Sequence, residues 1–448
     1  MKIAHTVLYL LVIFGLNSCF FSAENPYTGL PPGVWRAVLK LENNPINPNP
    51  RGEPLPDKVN LKFEEVSNGE LPFLFEVKYV TPDSFYIEII NGEERIVVDD
   101  IQIGRDKSQA KDTILINFPI FDSYIKGYFL ENAIDGQWIV RNKENYSIPF
   151  VARHGRDYRF TNLRKKPAMD VSGRWETTFE IGTPDEYKGV GEFKQNGNHL
   201  TGTFLTETGD YRYLEGTVQA NKLYLSCFDG SHAYLFEGKI DPKDSSMIGS
   251  FRSGHLYQTS WEAKFNPKAK LADANSLTYL KPGYDRFDFS FENPDGKKVS
   301  LKDARYKNKV KIIQLMGTWC PNCRDETAFL VEYLKEHPDQ DVEVIALGFE
   351  RYKDKEKAMG ALRTYKKYFK MDYELLLAGN SDKAEASQVL PMLNAVLAFP
   401  TMIVVDQNDR VQRIHTGFSG PATSEYKQFK TEFSRFIAQL LANKSVQQ

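Results

Sequence analysis

From about Trp35 to Phe265, apolar and polar positions alternate in short runs, with no long helical period between them. Phe85-Tyr86-Ile87-Glu88-Ile89-Ile90 precedes Asn91-Gly92, and Lys222-Leu223-Tyr224-Leu225 precedes Asp229-Gly230. A two-residue period puts alternate side chains on opposite faces of a strand. Asn-Gly and Asp-Gly between such runs favour hairpins, because both tolerate positive φ. Many short strands at this spacing predict a sandwich or an open barrel.

The same region reads as repeated. Gly33-Val34-Trp35 returns as Gly173-Arg174-Trp175. Thr113 to Phe118, followed by Phe121-Asp122, resembles Lys222 to Cys227 with Phe228-Asp229. Gly127-Tyr128-Phe129 with Trp138 echoes Gly249-Ser250-Phe251 with Trp261. The order is kept while loop lengths differ. This predicts two related β units, 24–160 and 165–266, as two domains or as two halves of one sheet structure. The alternative is that all-β sequences resemble one another through composition alone.

Residues 24–33 and 42–58 are proline-rich and read as loops. Residues 267–284 carry breakers and little periodicity, and read as a linker. From 285 to 442 the period changes. Lys311 to Met316 reads as a buried strand, and Asp341 to Leu347 as a second. Between them Phe329, Leu330, Tyr333 and Leu334 fall at helical spacing, and Tyr352 to Phe369 reads as a further helix. Thr401–Val405 and Val411–His415 pair around Asn408-Asp409. Tyr426, Phe429, Phe433, Ile437 and Leu440 form the stripe of a last helix, with Ser424 or Thr423 as its cap. Strands alternating with helices and ending in a hairpin predict an α/β domain. The chain is therefore multi-domain, a β-rich N-terminal region followed by an α/β domain and a polar tail over 443–448.

Composition narrows the class. At roughly 150 residues per domain, 448 residues suggest about three domains. Four cysteines are too few for a disulfide scaffold, so the folds rest on hydrophobic cores. Lys and Arg number 57 against 59 Asp and Glu, a balance that argues against nucleic acid as a partner. A mean hydropathy of -0.45 excludes a polytopic membrane protein.

The N-terminus has a basic start, an apolar run from Val7 to Leu16 and a small residue before Cys19, which describes a secretory signal over 1–18. The run is too short for a comfortable membrane span. Leu16-Asn17-Ser18-Cys19 resembles a bacterial lipobox, departing from it at Asn17. That resemblance implies an exported protein tethered to a membrane by lipid on Cys19. The alternative is cleavage by the ordinary signal peptidase, with Cys19 incidental.

Trp319-Cys320-Pro321-Asn322-Cys323 lies between the strand ending near Met316 and a helix starting near Pro321. Proline suits the first helical position, where its missing N–H would be unpaired anyway. Cys320 then sits at the helix N-terminus, where the dipole and free N–H groups stabilise a thiolate. A thiolate is the species that attacks disulfides. Cys323 lies one turn inside, close enough to close a small disulfide ring. The pattern predicts an exposed attacker and an internal resolver.

Residues 285–442 resemble the TlpA/ResA-like thiol-disulfide oxidoreductases, thioredoxin-fold proteins of the redoxin/AhpC-TSA superfamily. The resemblance covers about a third of the chain. It rests on Gly317 to Glu326 and Ala398-Phe399-Pro400-Thr401, supported by His415 to Pro421. It implies that Pro400 is cis and faces the cysteines, exposing backbone at Phe399 for an extended substrate segment. The spacing from Cys320 to Pro400 exceeds that of a minimal thioredoxin, and Lys383 to Leu393 could supply the inserted helix. Glu326 matches the family's acidic residue on the active-site helix, which handles protons near the buried cysteine. Minimal thioredoxins use an acid on the preceding strand, and Gln314 stands there and cannot titrate. Read without the family, Glu326 is a solvated first-turn carboxylate favoured by the dipole. Trp319 and Thr318 shape the rim of the site; for Trp319 the alternative is ordinary packing. The resemblance implies reduction of a disulfide-bearing protein substrate, a membrane thiol donor for re-reduction, and no cofactor.

Other chemistries fit less well. A CxxC can be half a zinc site, but no second CxxC exists and His337 and His415 show no ligand spacing, so no metal is expected. A peroxiredoxin-like peroxidase would place its cysteine after Pro-x-x-x-Thr-x-x, and Thr318 is only two residues before Cys320. Cys227 falls in a strand and reads as a buried thiol, an interchain disulfide being the alternative. Trp35, Trp175 and Trp261 read as core rather than a binding platform, and His154, His232 and His255 as surface or packing residues. A non-enzyme reading remains, in which the β region binds a ligand or partner and the α/β domain is accessory.

Overall fold

The computed structural model describes residues 27–41 and 69–443. The expected signal over 1–18, the lipidation site Cys19, the loop 42–58 and the tail from 444 lie outside the described residues.

Nine strands, β1 to β9, run Gly33–Lys40, Glu70–Thr81, Ser84–Asn91, Glu94–Val98, Ile101–Asp106, Lys111–Phe118, Ser123–Leu130, Ala133–Val140 and Ser147–His154. Nine more, β10 to β18, run Gly173–Phe179, Tyr187–Asn196, His199–Thr206, Gly209–Asp210, Leu214–Gln219, Lys222–Phe228, Ala233–Asp241, Ser246–Ser253 and Tyr257–Phe265. The alternation read from the sequence is visible in burial: Ile87 and Ile89 of β3, and Ile114, Ile116 and Phe118 of β6, all turn inward.

Both sheets are antiparallel meanders with the same order. In the first, β4-β3-β2-β1-β9-β8-β7-β6-β5 leaves an open edge between β4 and β5. In the second, β12 also pairs with β14, Gly202 facing Leu214, and the sheet closes into a barrel. The difference lies in β13. It is only Gly209–Asp210, so the half of the β12 edge that it leaves uncovered can bond to β14. An open barrel therefore describes only the first unit.

Two of the three sequence echoes fall on matching strands. Trp35 and Trp175 lie on the first strand of each sheet, and each indole donates to the carbonyl four residues back, Pro31 at 3.0 Å and Val171 at 2.8 Å. Thr113–Phe118 and Lys222–Cys227 belong to the sixth strand of each. The third echo is displaced by one strand. Gly127 and Trp138 lie on β7 and β8, whereas Gly249 and Trp261 lie on β17 and β18, the eighth and ninth strands of their sheet. At both glycines a Cβ would meet the backbone of the neighbouring strand, Glu237 O at Gly249 and Asp135 O at Gly127, and at Gly249 it would also meet the Trp261 ring.

The two sheets share a core. The open first sheet wraps the outer wall of β15 and β16, taking Tyr224, Phe228, Ala233 and Leu235 into its own apolar cluster. Phe228 stacks on Phe73 at 4.4 Å and meets Trp138 edge-on at 5.1 Å. The barrel interior is filled by Phe179, Phe204, Phe236, Phe251 and Trp261, and Cys227 is buried among them. Trp35, Trp138, Trp175 and Trp261 are thus core residues, each fully buried.

The last seven strands, β19 to β25, are Ser290–Glu292, Lys298–Ser300, Val310–Met316, Val342–Glu350, Glu374–Asn380, Thr401–Val405 and Val411–Thr416. Their order is β20-β19-β23-β22-β21-β24-β25, with β21, β22 and β23 parallel and β24 antiparallel to β21. Every residue of β21 and β24 is buried, as expected of central strands covered on both faces. Among the described residues five α-helices, α1 to α5, span Ala274–Leu277, Pro321–Glu336, Lys355–Phe369, Lys383–Val389 and Tyr426–Asn443. Pro321 opens α2, and Asp354 caps α3 by accepting from Lys357 N at 2.8 Å. Ser424 does not cap α5, because its N–H and hydroxyl both bond Glu192 of the barrel, at 2.9 and 2.7 Å; the Thr423 hydroxyl donates to Gly420 O. The stretch read as a linker holds α1 and is pinned to the α/β domain, with Thr416 donating to Thr278 and Tyr279 N to Asn394.

Candidate active site

Cys320 is the N-cap of α2. Its Sγ accepts from Cys323 N at 3.2 Å, and its thiol donates to Phe399 O at 3.3 Å. The Phe399–Pro400 peptide is cis, and Pro400 O accepts from Gly417 N at 2.9 Å. Three segments distant in sequence, the CxxC turn, the proline loop and the stretch from His415 to Pro421, therefore converge. Thr401, fully buried, donates to Ala398 O and fixes the loop from behind. Trp319 donates to Phe349 O at 2.9 Å, meets Phe399 edge-on and carries the Arg351 guanidinium 4.1 Å above its ring. Cys320 and Cys323 are free thiols, as is Cys227.

Cys323 is fully buried. Burial pushes its thiol well above the ordinary value, and the neighbouring Cys320 and Glu326 add to the effect. Glu326 is also fully buried, so the solvated reading of that carboxylate is overturned. Neither of its oxygens has a hydrogen-bond partner, and burial pushes its carboxyl up to about 8, with Gln314 restraining the shift. The Gln314 amide itself donates to Cys323 O at 3.3 Å and accepts from Thr327, so it braces the helix where an acid might have titrated.

One carboxylate escaped sequence reasoning. Glu350 at the end of β22 is 1% exposed and accepts from Thr318 N at 2.9 Å and from Thr318 Oγ1 at 2.7 Å. Burial pushes it up to about 7, against the pull of Thr318 and Arg351. Its signal was faint, a Glu closing the apolar run of β22. Around the same turn lies Lys143, from the β8–β9 loop, pushed down to about 8 by burial and then by Arg351.

The expectation of an exposed attacker fails: Cys320 is only 4% exposed. Cys320 belongs to the apolar core of the α/β domain, and the β region packs directly on the CxxC turn. Asn322, between the two cysteines, donates to Asp210 O at 3.1 Å and accepts from Asp210 N at 2.7 Å. The Asp210 carboxylate accepts from Gly420 N at 2.6 Å, and burial followed by the nearby Asp325 pushes it up to about 6. Arg212, 2% exposed, donates to Asp325 on α2 at 2.5 Å and to Pro321 O at 3.4 Å. It also bonds Glu94 of the first sheet and lies 3.8 Å from Asp229 of the second. Burial opposes its charge, but these three carboxylates hold it protonated. Burial likewise opposes ionisation of Asp229, yet His232 and Arg212 keep it below the usual carboxylate range. His232, read as a packing residue, thus belongs to this network, while His255 stacks on Tyr146 and His154 bonds Pro32 O. Among the described residues no His, Cys, Asp and Glu group has metal-binding geometry.

Comparisons with known proteins bear on the C-terminal third. Residues 283–429 match the Redoxin family model. The thioredoxin-like protein YneN of Bacillus subtilis is 27% identical over 138 residues, 31% of this chain and 73% of that protein. The thiol-disulfide oxidoreductase ResA of Bacillus subtilis is 24% identical over 138 residues, 31% of this chain and 69% of that protein. Among solved structures, a thiol:disulfide interchange protein of the thioredoxin family from Chlorobium tepidum is 20% identical, with 36% of this chain covering 99% of that one at a TM-score of 0.28.

Proposed function

Residues 283–429 are a redoxin domain of the TlpA/ResA-like, thioredoxin-fold kind, and from that premise we propose that the protein is an exported, membrane-tethered protein-disulfide reductase. The observation that carries the reading is Cys320 at the N-cap of α2, its sulfur receiving the Cys323 N–H and facing the carbonyl of Phe399 at the cis proline.

The Cys320 thiolate attacks one sulfur of a target disulfide and expels the other as a thiolate, leaving a mixed disulfide. Cys323, deprotonated, then attacks Cys320 and releases the second target thiolate. The target gains two electrons and two protons, and the enzyme keeps the Cys320–Cys323 disulfide. Glu326, buried beside Cys323 and titrating near 8, is the group that takes the resolving thiol's proton. Trp319, Phe399 and Pro400 form the surface offered to the substrate segment, with Thr401 holding that loop from behind. No cofactor enters the cycle, and a thiol donor in the membrane restores the dithiol. Cys19, lipidated, supplies the tether. Among the described residues no helix is long and apolar enough to cross a membrane.

Trapping with Cys323→Ser tests the chemistry. Mixed disulfides through Cys320 to identifiable proteins are expected. If none accumulate in cells, and the purified protein fails to reduce a model protein disulfide, the reductase reading is wrong. Fast peroxide consumption with sulfenic acid on one thiol would indicate a peroxidase instead. Full biological function in a Cys320→Ala, Cys323→Ala double variant would indicate a binding module. For the tether, Cys19→Ala is expected to abolish metabolic lipid labelling.

A further inference from the structure

One turn of the barrel touches both the CxxC and the loop beside the cis proline. Between β12 and β13, Glu207 and Thr208 lie against Gly417, where a Cβ would sit 2.9 Å from Glu207 O and from Thr208 C. Gly417 is the residue whose N–H bonds Pro400 O, so the turn touches the loop next to the cis proline. Gly209 lies against Asn322 of the CxxC, with room for no side chain: a Cβ would be 1.7 Å from the end of the Asn322 amide. Asp210 then pairs by main chain with Asn322 and by carboxylate with Gly420 N, and Arg212 clamps Asp325. The contacts follow one another along the turn and land on two separate segments that border Cys320.

An occupant that bonds both the CxxC residue and the neighbouring loop stands where an extended substrate segment would have to lie. In this arrangement Cys320 is 4% exposed. The attachment is polar, through hydrogen bonds and one ion pair, so separating it exposes groups that water can solvate. We propose that the β12–β13 turn is a cover built into the chain, which must lift from the CxxC and proline loops before Cys320 can engage a protein disulfide. This rests on the reductase reading for its purpose, but the closed arrangement it describes can be tested without it.

The test is the alkylation of Cys320 in the full chain by iodoacetamide and by a 5-kDa polyethylene glycol maleimide, resolved by peptide mass spectrometry. Gly209→Trp wedges the turn off Asn322, and Asp210→Ala removes the bond to Gly420. Both lie outside the redox domain. Each is expected to raise the polymer-to-iodoacetamide rate ratio at Cys320 by about tenfold or more, while circular dichroism stays that of the wild type. An unchanged ratio in both folded variants overturns the cover, as does a wild-type Cys320 that reacts with the polymer as fast as in urea. Because alkylation needs no disulfide substrate, a confirmed cover with no trapped mixed disulfide would refute the reductase reading alone.

Discussion

Arg212 of the barrel donates to Asp325 of the redox helix at 2.5 Å, and the same guanidinium bonds Glu94 of the first sheet. One buried cation thus joins both β sheets to helix α2 of the redox domain. Removing it leaves Glu94 and Asp325 without their buried cation and Asp229 with His232 alone. Breaking a buried pair from one side costs about 3–5 kcal/mol. Arg212→Ala is expected to lose stability of that order, read from urea midpoints, with Arg212→Lys recovering part. A loss below about 1 kcal/mol would show that the carboxylates do not depend on it.

Glu326 gives a pH signature. Its carboxyl titrates at about 8 in the fold, above an ordinary value of about 4.3. The folded chain therefore holds a proton that the unfolded chain releases. This contribution is fully present below about pH 4 and is lost as pH rises through about 8. Glu326→Gln carries no titrating group, so from pH 5 to 8.5 the wild type should lose roughly 3–5 kcal/mol relative to it. Parallel stability curves across that range would refute the assignment.

Much of this site was legible because it is local. The strand, the CxxC turn and the proline-opened helix are consecutive in sequence, so Cys320 and Cys323 could be placed from spacing alone. The strands of the β region were legible because one face of each is buried, as Ile114, Ile116 and Phe118 illustrate. The Arg212 clasp was not, since its partners stand at 94, 229 and 325 and nothing in a single chain links them. The burial of Cys320 was misjudged because it depends on packing that the CxxC spacing does not carry. Barrel closure escaped notice because it turns on a two-residue strand too short to carry a pattern.

Thr318 anchors the turn before Cys320. Thr318→Val deletes the hydroxyl that donates to Glu350 and leaves that carboxylate with one fewer donor. An unpaired buried group costs about 1–3 kcal/mol. The variant should lose stability in that range and show a Glu350 carboxyl titrating higher, followed by carboxyl-region infrared difference spectra. An unchanged titration would remove Thr318 from the role.

Phe228 tests the shared core. Its ring touches Phe73, Phe118 and Trp138 of the first sheet from its place on the barrel. Phe228→Ala should cost about 3–5 kcal/mol. The two β units should also lose their common transition, so that Trp fluorescence and circular dichroism no longer coincide on denaturation. Coincident, unshifted curves would mean that the units stand independently.

The wrapping of the first sheet around β15 and β16 also fixes a timetable. The ribosome delivers the first sheet well before the strands that fill its mouth, and domains otherwise fold as they emerge. Until Phe228 arrives, Phe73, Phe118 and Trp138 face an unfilled opening. The first sheet therefore completes its core only with residues of β15 and β16, which follow it in the chain, and the order of the strands sets when that core can close.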